Sequence, residues 1–417
     1  MVNLSRNNIK EHILDIKDNF IFNIISSSKN KDEEMHAKII ASTKPGYILP
    51  TRKALRFGGH MAAICYTEKS YDKIEKEKLE NTAKRINMTL DNAHHSVYDH
   101  ANYTIELSNV PKIMAMVLNN LQDYTTSEKS ARFTQMKPSP FEKELYDKWM
   151  GTFVSEIEKK YQQIDPGKRT KLAQENARYL TSVFTRGNMG YTTSFRQLNY
   201  IMHWFNDFIN TAKPTEFNKR LSVDMTSFNN DLRKFYVDKL DPQVKQRELN
   251  LFANRTSFEE SFSDTYCTTY LGSFAQLAQA HRHRTISYQM LPIEDIPKIF
   301  FIPPIIAKNN NHAKNWLSDM EQVAHLFPQG TLITINERGT YENFISKAYE
   351  RLCGQAQLEI QDQTRNTLGR YLQATKDSNP DVFNALLPYS NGPRCTFPNY
   401  NCKSACNFGK KALERII

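Results

Sequence analysis

The chain has 417 residues, of which 40% are hydrophobic and 24% charged, and 55 Lys and Arg against 45 Asp and Glu give a net charge of +10. This composition is typical of a folded protein of two or three domains and excludes a disordered or fibrous chain. The longest apolar run, at 299–307, is interrupted by Pro303 and Pro304, so no transmembrane helix is predicted. Residues 1–10 lack the apolar stretch of a signal peptide and the six cysteines are scattered, which predicts a cytoplasmic protein.

The positive charge favours anionic partners, which are either nucleic acids or small molecules with phosphate and carboxylate groups. The sequence has no run of five or six like charges, and Lys and Glu alternate in segments such as 73–85. Such segments are typical of solvated helix faces. The pattern argues against a polybasic tail, and nucleic acid is not the expected partner.

Hydrophobic periodicity predicts a mostly helical chain with a smaller number of strands. Apolar residues three and four positions apart predict helices at 71–88, 111–122, 141–163, 171–184, 195–209, 229–240, 311–326 and 341–374. Alternation with β-branched and aromatic residues predicts strands at 102–107, 189–194, 265–271 and 331–335. This mixture predicts an α+β fold.

An internal repeat divides the chain. Segment 111–122 corresponds to 273–284 at an offset of 162 positions, and segments 174–184 and 194–205 correspond to 320–330 and 340–351 at an offset of 146. The two constant offsets predict two tandem, degenerate copies of one fold, each with a mixed or antiparallel sheet. The predicted copies span 1–212 and 213–390, and a cysteine-containing tail follows at 391–417.

Two short motifs carry the chemistry, and they lie in different copies. Copy two contains Arg282, His283 and Arg284 in the sequence HRHRTIS, and copy one contains Glu128, Ser130 and Arg132 in SEKSAR. Together they resemble the motif of the flavin-dependent thymidylate synthases, which has R-H-R, seven residues and S, completed as E-x-S-x-R. Each copy has lost the half that the other retains: copy one has Asn120, Leu121 and Gln122 in place of R-H-R, and copy two has Met290, Pro292 and Glu294 in place of E-x-S-x-R.

The resemblance extends over about residues 51–359, in two interrupted passes, and the same division continues. Copy one matches the family at MAAICY, HHSVYDHANYTIEL and Arg178, where copy two has Ala324. Copy two matches at Gln279 and Arg351, where copy one has Val117 and Phe205. The resemblance implies one intact nucleotide site for each pair of copies, with substrate contacts at Gln279, Arg282, Glu128, Ser130, Ala131, Arg132, Arg178 and Arg351. Arg351 and Arg132 are the expected catalytic residues, on the uracil side.

The family reaction needs no protein nucleophile. FAD, reduced by NADPH, mediates methylene transfer from methylenetetrahydrofolate to C5 of dUMP. The resemblance implies cofactor contacts at His283, Arg284, Arg196, Ser194, His94, Ser96 and Cys65. The family usually has Asn where this chain has Ser194, and again near Tyr200, so the flavin side departs from the family pattern.

Three alternatives and one exclusion complete the sequence-based hypotheses. Cys395, Cys402 and Cys406 have spacings that fit no standard zinc motif, so no metal site is predicted.

The substrate could be another pyrimidine nucleotide such as UMP, and the product could be hydroxymethylated. A non-catalytic protein that binds nucleotide or RNA on the same fold is the rival of another class. A homodimer would provide four domains, and the composite site could form within one chain or between two.

Overall fold

The computed structural model describes residues 34–44, 46–121, 123–130, 134, 136–247, 250–403 and 405–417. The first half contains a four-stranded antiparallel sheet in the order β1-β2-β4-β3, with β1 (His36–Ser42), β2 (Asn102–Pro111), β3 (Tyr124–Glu128) and β4 (Arg186–Ser194). The helices of this half are α1 (Thr51–Ile64), α2 (Tyr71–Glu75), α3 (Leu79–Asp91), α4 (Lys112–Asn119), α5 (Pro140–Lys160), α6 (Pro166–Ala177), α7 (Phe195–Thr211) and α8 (Glu216–Leu232).

The second half contains a sheet of the same build. Its order is β5-β6-β8-β7, again antiparallel, with β5 (Ser261–Phe262), β6 (Thr265–Ser273), β7 (Ser287–Met290) and β8 (Leu332–Thr340). Its helices are α9 (Phe274–Ala280), α10 (Pro304–Ala307), α11 (Asn310–Gln322), α12 (Tyr341–Arg351), α13 (Leu358–Thr375) and α14 (Pro380–Leu386). The mixture of helices and antiparallel sheets confirms the α+β prediction. No helix in the described ranges combines the length and apolar character that crossing a membrane requires.

Corresponding elements of the two halves keep the offsets seen in the sequence. β4 and β8 have equal length and lie 146 positions apart at both ends, and so do the 3-10 helices Arg178–Leu180 and Ala324–Leu326. β2 and β6 each run without a loop into a helix, α4 and α9, and these junctions lie 162 positions apart. The two sheets therefore share order, direction and connection.

Where the halves meet, they pair through corresponding backbone positions. Ser182 and Pro328, which lie 146 positions apart, form an antiparallel bridge. The flanking hydrogen bonds, 2.9 and 2.8 Å long, run from Val183 N to Phe327 O and from Gln329 N to Thr181 O. Because the same offset converts each of these bonds into the other, the halves are related here by a local two-fold axis.

Polar caps at the ends of three strands start the helices that carry the site. Ser194, Ser273 and Thr340 end β4, β6 and β8, and each side-chain oxygen accepts a hydrogen bond from the backbone N–H three residues later, at 3.1, 3.0 and 3.3 Å. A cap of this kind satisfies one of the free N–H groups of the first helical turn. The helices α7, α9 and α12 therefore start at fixed points of the sheets.

One hydrophobic core extends across both halves and includes side chains of β2, α4, α7, α9 and β8. Helix α8 follows the predicted boundary at residue 212 but belongs to the first half. The backbone N–H of Ala37 in β1 donates to Asp231 of α8 at 2.8 Å, and Asn229 of α8 donates to Met202 O of α7 at 3.0 Å. The boundary thus separates two helices that pack together, and the division at 212 stays a prediction.

Several element bounds differ from the sequence-based ones. The predicted helix 71–88 is divided into α2 and α3, and 341–374 into α12 and α13, while 229–240 is replaced by α8 and a short 3-10 helix. The predicted helix 171–184 ends at Ala177, and a 3-10 turn follows. β1, β3, β5 and β7 are strands that the hydrophobic pattern did not predict.

Candidate functional site

The two motif halves meet within one chain. Arg282 follows the C-terminal end of α9, and its Nη2 lies 3.4 Å from Oε2 of Glu128, the last residue of β3. Glu128 belongs to the first half and Arg282 to the second, and strand order within each sheet brings β3 to the sheet edge beside α9. The structure therefore answers a question that the sequence left open: one chain suffices to bring the halves together.

The Glu128 carboxylate accepts hydrogen bonds from three side chains. Lys112 Nζ lies 2.5 Å from Oε1, and Asn119 Nδ2 donates to Oε2 at 3.2 Å, on the same oxygen that faces Arg282. The side chain of Glu128 is 6% exposed, whereas that of Arg282 is 40% exposed. Two cations share one carboxylate, so the cluster keeps a positive charge and leaves Arg282 open to an anionic ligand.

A second junction joins the halves through Gln357, which precedes α13. Arg178 Nη2 and Gln279 Nε2 both donate to Oε1 of Gln357, and Gln357 Nε2 donates to the Tyr179 hydroxyl. Tyr179 in turn donates to Glu359 Oε2 at 2.8 Å. All five side chains are buried. Arg178 of the first half and Gln279 of the second are thus held by one acceptor.

Arg351 is the last residue of α12, and its guanidinium lies beside the C-terminal end of α9. Nε donates to Nε2 of His283 at 2.7 Å, and Nη2 donates to the backbone oxygen of Gln279 at 3.0 Å. Burial, then the charges of Arg351 and Lys347, lower the pKa of His283 to about 2. His283 is therefore neutral, with Nε2 as the acceptor and the proton on Nδ1.

The predicted cofactor residues form two groups. Arg284 donates to Tyr124 O at 3.2 Å, and its Cζ lies 4.7 Å from the centre of the Tyr124 ring. Arg196 binds Asp99 through both Nε, at 2.9 Å, and Nη2, and the Ser194 hydroxyl donates to the same carboxylate at 2.7 Å. Arg284 belongs to the second half and the Arg196–Ser194 group to the first.

Arg247, which the sequence did not single out, lies between these two groups. Its Cζ is 5.4 Å from the centre of the Tyr200 ring, and Arg196 Cζ is 5.7 Å from the same ring. Arg247 Nη2 also lies 3.7 Å from Asp123 Oδ2, at the start of β3. Arg247 belongs to no sequence motif, so its proximity to the candidate site is seen only in the structure.

A cleft of about 170 Å³ opens beside Arg284 and Arg247 at the junction of the halves. It is lined by Asn119, Asn120, Leu121, Arg247, Asn250, His281, Arg284, Ile286, Ser287, Tyr288, Gln289 and Arg338. The lining includes three arginines and no carboxylate. Among the described residues, neither ring nitrogen of buried His281 has a hydrogen-bond partner, nor does the Tyr288 hydroxyl. Burial, with Lys112 and Arg282, lowers the pKa of His281 to about 3, so this ring is neutral.

This cleft fits part of the expected flavin dinucleotide. Guanidinium groups suit a pyrophosphate, and the partnerless nitrogens and hydroxyl suit the hydrogen-bonding edge of a polar ring. The volume is smaller than the roughly 300–1,000 Å³ of pockets that enclose a whole ligand of drug size. The residues therefore fit the charged and polar parts of the cofactor, and the cleft has room for a fragment of it.

The remaining predicted residues are exposed or half-buried, or lie outside the described ranges. His94, Ser96 and Cys65 are exposed; Ser96 shares the 3-10 helix His95–His100 with Asp99, the partner of Arg196. The buried ring of His95 contacts the Tyr200 hydroxyl at 2.9 Å through Nδ1, so the neighbour of His94 makes the inward contact. Ser130 is half-buried after β3, and Ala131 and Arg132 lie outside the described residues.

The tail cysteines Cys395, Cys402 and Cys406 are free thiols. Across the described part of the chain, no three or more His, Cys, Asp or Glu side chains are grouped as metal ligands. The sequence-based expectation that the protein needs no metal stays a prediction.

Comparisons with known proteins give one family match and distant structural likenesses. Residues 51–207 match the family model of the thymidylate synthase complementing protein, and no curated protein matches the chain. The thymidylate synthase ThyX of Helicobacter pylori, solved with FAD and dUMP, is 13% identical with a TM-score of 0.29, over 49% of this chain and 99% of that chain. The UMP/dUMP methylase PolB of Streptomyces cacaoi, bound with 5-Br dUMP, is 14% identical with a TM-score of 0.29, over 51% and 94%. Both likenesses are too distant to bear on what this chain binds.

The family match covers the first-half residues that the sequence resemblance singled out, namely Glu128, Ser130, Arg178 and Arg196. The resemblance of the chain to this family is therefore confirmed. The second-half residues lie beyond the matched range, and the roles of all site residues stay predictions. Residues 51–207 of this chain are therefore similar to the thymidylate synthase complementing proteins, the flavin-dependent thymidylate synthases.

Proposed function

We propose that this protein methylates C5 of a pyrimidine nucleotide, with dUMP as the substrate, methylenetetrahydrofolate as the carbon donor and NADPH as the reductant. The observation that carries the proposal is the contact of Arg282 with Glu128, which joins the complementary motif halves inside one chain. The shared bond of Arg178 and Gln279 to Gln357 supports the same assembly at a second point.

A nucleotide monophosphate suits this cluster because it combines a dianionic phosphate with a planar ring that carries carbonyl acceptors. We assign Arg178, Arg282, Gln279 and Ser130 to the phosphate and ribose, and we keep Glu128 and Ala131 as further substrate contacts. The buried Oε1 of Gln279 has no partner among the described residues and can accept a hydrogen bond from the ligand.

Arg351 and Arg132 are the proposed catalytic residues on the uracil side. A guanidinium aimed at a uracil carbonyl stabilises the negative charge that develops there as C5 reacts. Arg351 suits this role because His283 and the Gln279 carbonyl fix its orientation. A charge-assisted hydrogen bond in a site without water contributes about 1.5–3 kcal/mol.

FAD is the cofactor, as in the family whose model residues 51–207 match. The bound flavin, reduced by NADPH, supplies the redox chemistry of methylene transfer. Among the residues of this chain, the proposed contacts are Arg284, His283, Arg196, Ser194, His94, Ser96 and Cys65, and we add Arg247. The three arginines offer the positive charge that a pyrophosphate needs.

The identical strand orders and the reciprocal hydrogen bonds at the local two-fold axis support a tandem duplication, with degenerate copies as the origin of the two halves. Two chains would then reproduce a four-domain assembly. A homodimer and a cytoplasmic location accompany this proposal as predictions.

The test is an anaerobic single-turnover experiment on the purified chain. The protein is first dialysed against FAD, reduced with NADPH, and then mixed with methylenetetrahydrofolate and dUMP. We expect reoxidation of the flavin together with formation of dTMP. The absence of saturable FAD uptake at tens of micromolar would overturn the flavoenzyme proposal.

A parallel reaction with UMP decides the sugar. Product from UMP but not from dUMP would show that the protein is a C5-methylase whose substrate is UMP. A hydroxymethylated product would show that the reaction is a hydroxymethylation. Tight binding of single-stranded RNA by a colourless protein would favour the non-catalytic alternative.

A further inference from the structure

A buried ion pair lies one helical turn before Arg351. Lys347 Nζ lies 2.6 Å from Oε2 of Glu337, and both side chains are completely buried. The carboxylate also accepts hydrogen bonds from the hydroxyls of Tyr266, at 2.7 Å, and Tyr270, at 2.8 Å. Lys347 additionally donates to Gln363 Oε1 at 3.2 Å. Both carboxylate oxygens of Glu337 and the Lys347 ammonium group are therefore paired inside the protein.

Stability alone does not account for such a pair. Removing two charges from water has a large desolvation penalty, and well-packed apolar replacements of buried pairs are often neutral or stabilising. The cost is higher here because Lys347 and Arg351 are two cations at i and i+4 on one face of α12, which repel each other. Glu337 is the carboxylate that compensates Lys347, whereas the carboxylate nearest Arg351 is the exposed one of Glu350, 3.6 Å from Nη2.

The pair belongs to a network that joins the two helices of the site. Lys347 is one helical turn before Arg351 on α12. Tyr270, a partner of Glu337, accepts a hydrogen bond from Gln276 Nε2 at 3.4 Å, and Gln276 lies one turn before Gln279 on α9. Through Glu337, the network therefore connects the turns of α12 and α9 that precede Arg351 and Gln279, which are in direct contact.

The first half of the molecule provides an internal comparison. At the offset of 146 positions, Tyr191, Ile201 and Phe205 stand where the second half has Glu337, Lys347 and Arg351. All three are completely buried, as are Glu337 and Lys347. The corresponding positions are therefore filled by the uncharged side chains of Tyr191, Ile201 and Phe205 where the arginine is missing, and by an ion pair where the arginine is present.

We propose that Lys347 and Glu337 are positioning residues, which fix the guanidinium of Arg351 against His283 and Gln279 in the orientation used for the nucleotide ring. The part of this inference that concerns the nucleotide ring rests on the proposed function. The part that concerns the orientation of Arg351 does not, because Arg351 and His283 contact each other within this chain. Lys347 also acts on His283 electrostatically: together with burial and Arg351, it lowers the pKa of this ring and keeps it an acceptor for Arg351.

The test variant is K347M/E337Q, which removes both charges and keeps the approximate volume, so that no charge remains buried without a partner. The matched control is I201M/Y191F, which alters the corresponding positions of the first half. Thermal unfolding checks that both variants fold. The first readout is ¹⁵N NMR of histidine-labelled protein without nucleotide, with the His283 resonances assigned by H283Q.

In the wild type we expect His283 to be neutral with Nε2 hydrogen-bonded. In K347M/E337Q we expect the Nε2 resonance to move towards its position in R351A, and in the control to stay unchanged. An Nε2 resonance that does not move in K347M/E337Q would overturn the positioning role. This result does not depend on whether the protein binds a nucleotide.

The second readout is a double-mutant cycle on dUMP affinity. We expect K347M/E337Q to weaken binding about tenfold in the wild-type background and not at all in the R351A background, because the pair acts through Arg351. Equal weakening in both backgrounds would reduce the pair to a structural role. A wild-type protein that binds no pyrimidine nucleotide would refute the proposed function, and the NMR result would still decide the positioning of Arg351.

Discussion

Arg282 and Arg351 carry the same charge in different surroundings, and the difference bears on their roles. Arg351 is nearly buried and bound to two fixed acceptors, the His283 ring and the Gln279 carbonyl. Arg282 is more exposed and shares the Glu128 carboxylate with Lys112. A hydrogen bond to a charged group is stronger where water is excluded, whereas exposed ion pairs contribute little. We therefore expect Arg351 to orient the nucleotide and Arg282 to attract its anionic group.

We expect R351A to weaken dUMP binding by roughly 10- to 100-fold, since it removes a charge-assisted bond worth about 1.5–3 kcal/mol. R282A should weaken it less, because the exposed guanidinium is partly screened by water. Turnover should be lost in R351A. Calorimetry and single-turnover flavin oxidation measure the two effects. F205L, at the position that corresponds to Arg351 in the first half, should leave both unchanged; an R351A protein that turns over normally would contradict the assignment.

Two buried histidines predict acid sensitivity. Burial lowers the pKa of His281 to about 3 and of His283 to about 2, while both rings take up a proton near pH 6.5 in the unfolded chain. The unfolded state binds more protons below pH 6.5, so this part of the stability is complete above that pH and is lost as the pH falls. Each histidine contributes up to about 1.4 kcal/mol per pH unit to the slope.

The measurement is urea unfolding between about pH 4.5 and 7. We expect H281L to reduce the pH dependence by the share of one histidine. H325Q changes an exposed ring and should leave the slope as it is. The same slope in H281L and the wild type would mean that His281 is protonated in the folded protein.

At the scale of elements, the sequence predicts what periodicity and local motifs encode. The long strands β2, β4, β6 and β8 carry the β-branched and aromatic alternation, and all four were predicted in part. β3 and β7, with five and four residues, are too short for such a pattern and exist because they pair with the middle strands β4 and β8. The break between α12 and α13 is held by contacts distant in sequence, such as Arg415 donating to Gly354 O at 3.3 Å.

The same reasoning explains which site residues the sequence revealed. Arg282, Arg351, Glu128 and Arg178 could be found because they stand in motif register. In the structure Arg282 contacts Glu128 directly, whereas Arg178 donates to Gln357, and Arg351 donates to His283 and to the Gln279 carbonyl. Gln357, Arg247 and Lys112 belong to no motif. Their contacts depend on how the two halves pack, which one sequence without relatives does not encode locally.

The start of α5 contacts Ser182 at the junction of the halves, and it provides a prediction about stability. Ser139 Oγ accepts from Glu142 N at 3.4 Å, while Glu142 accepts from Ser139 N at 2.9 Å and from Ser182 N at 2.6 Å. We expect S139A to lower the free energy of unfolding by about 1 kcal/mol, the usual effect of losing an N-cap. E142A should lower it by a further 1–3 kcal/mol or so, because the buried N–H of Ser182 loses its acceptor.

Urea midpoints at constant slope measure both variants, and E142Q, which keeps one acceptor oxygen, should lie between them. An E142A protein as stable as S139A would show that Ser182 N finds another partner. Ser182 forms the bridge to Pro328 at the local two-fold axis, so this helix start also supports the junction of the halves.

At the scale of the whole molecule, the proposed duplication with its local two-fold axis implies two candidate positions for a nucleotide, which differ in their side chains. In one, Gln279, Arg282 and Arg351 of the second half meet Glu128 and Arg178 of the first, and the contacts between them are present. The other would combine Val117, Asn120 and Phe205 with Met290, Pro292, Glu294 and Ala324. There, Phe205 is completely buried against Phe228, at 5.2 Å between ring centres, and Glu294 is paired with Lys213 at 2.5 Å.

This asymmetry predicts the stoichiometry of binding. The second position has lost about four charged contacts, and at about 1.5 kcal/mol each their loss weakens affinity by several powers of ten, beyond an ordinary titration. The carboxylate of Glu294 would also repel the phosphate. We therefore expect calorimetric titration of the FAD-loaded protein to give one dUMP for each 417-residue chain. The variant E294R restores one cation at the second position and should leave the tight-site count at one, because a single contact recovers only about tenfold in affinity. Two tight sites per wild-type chain would refute the division of labour between the halves, since the second position could reach that affinity only through contacts that the sequence and the structure assign to the first.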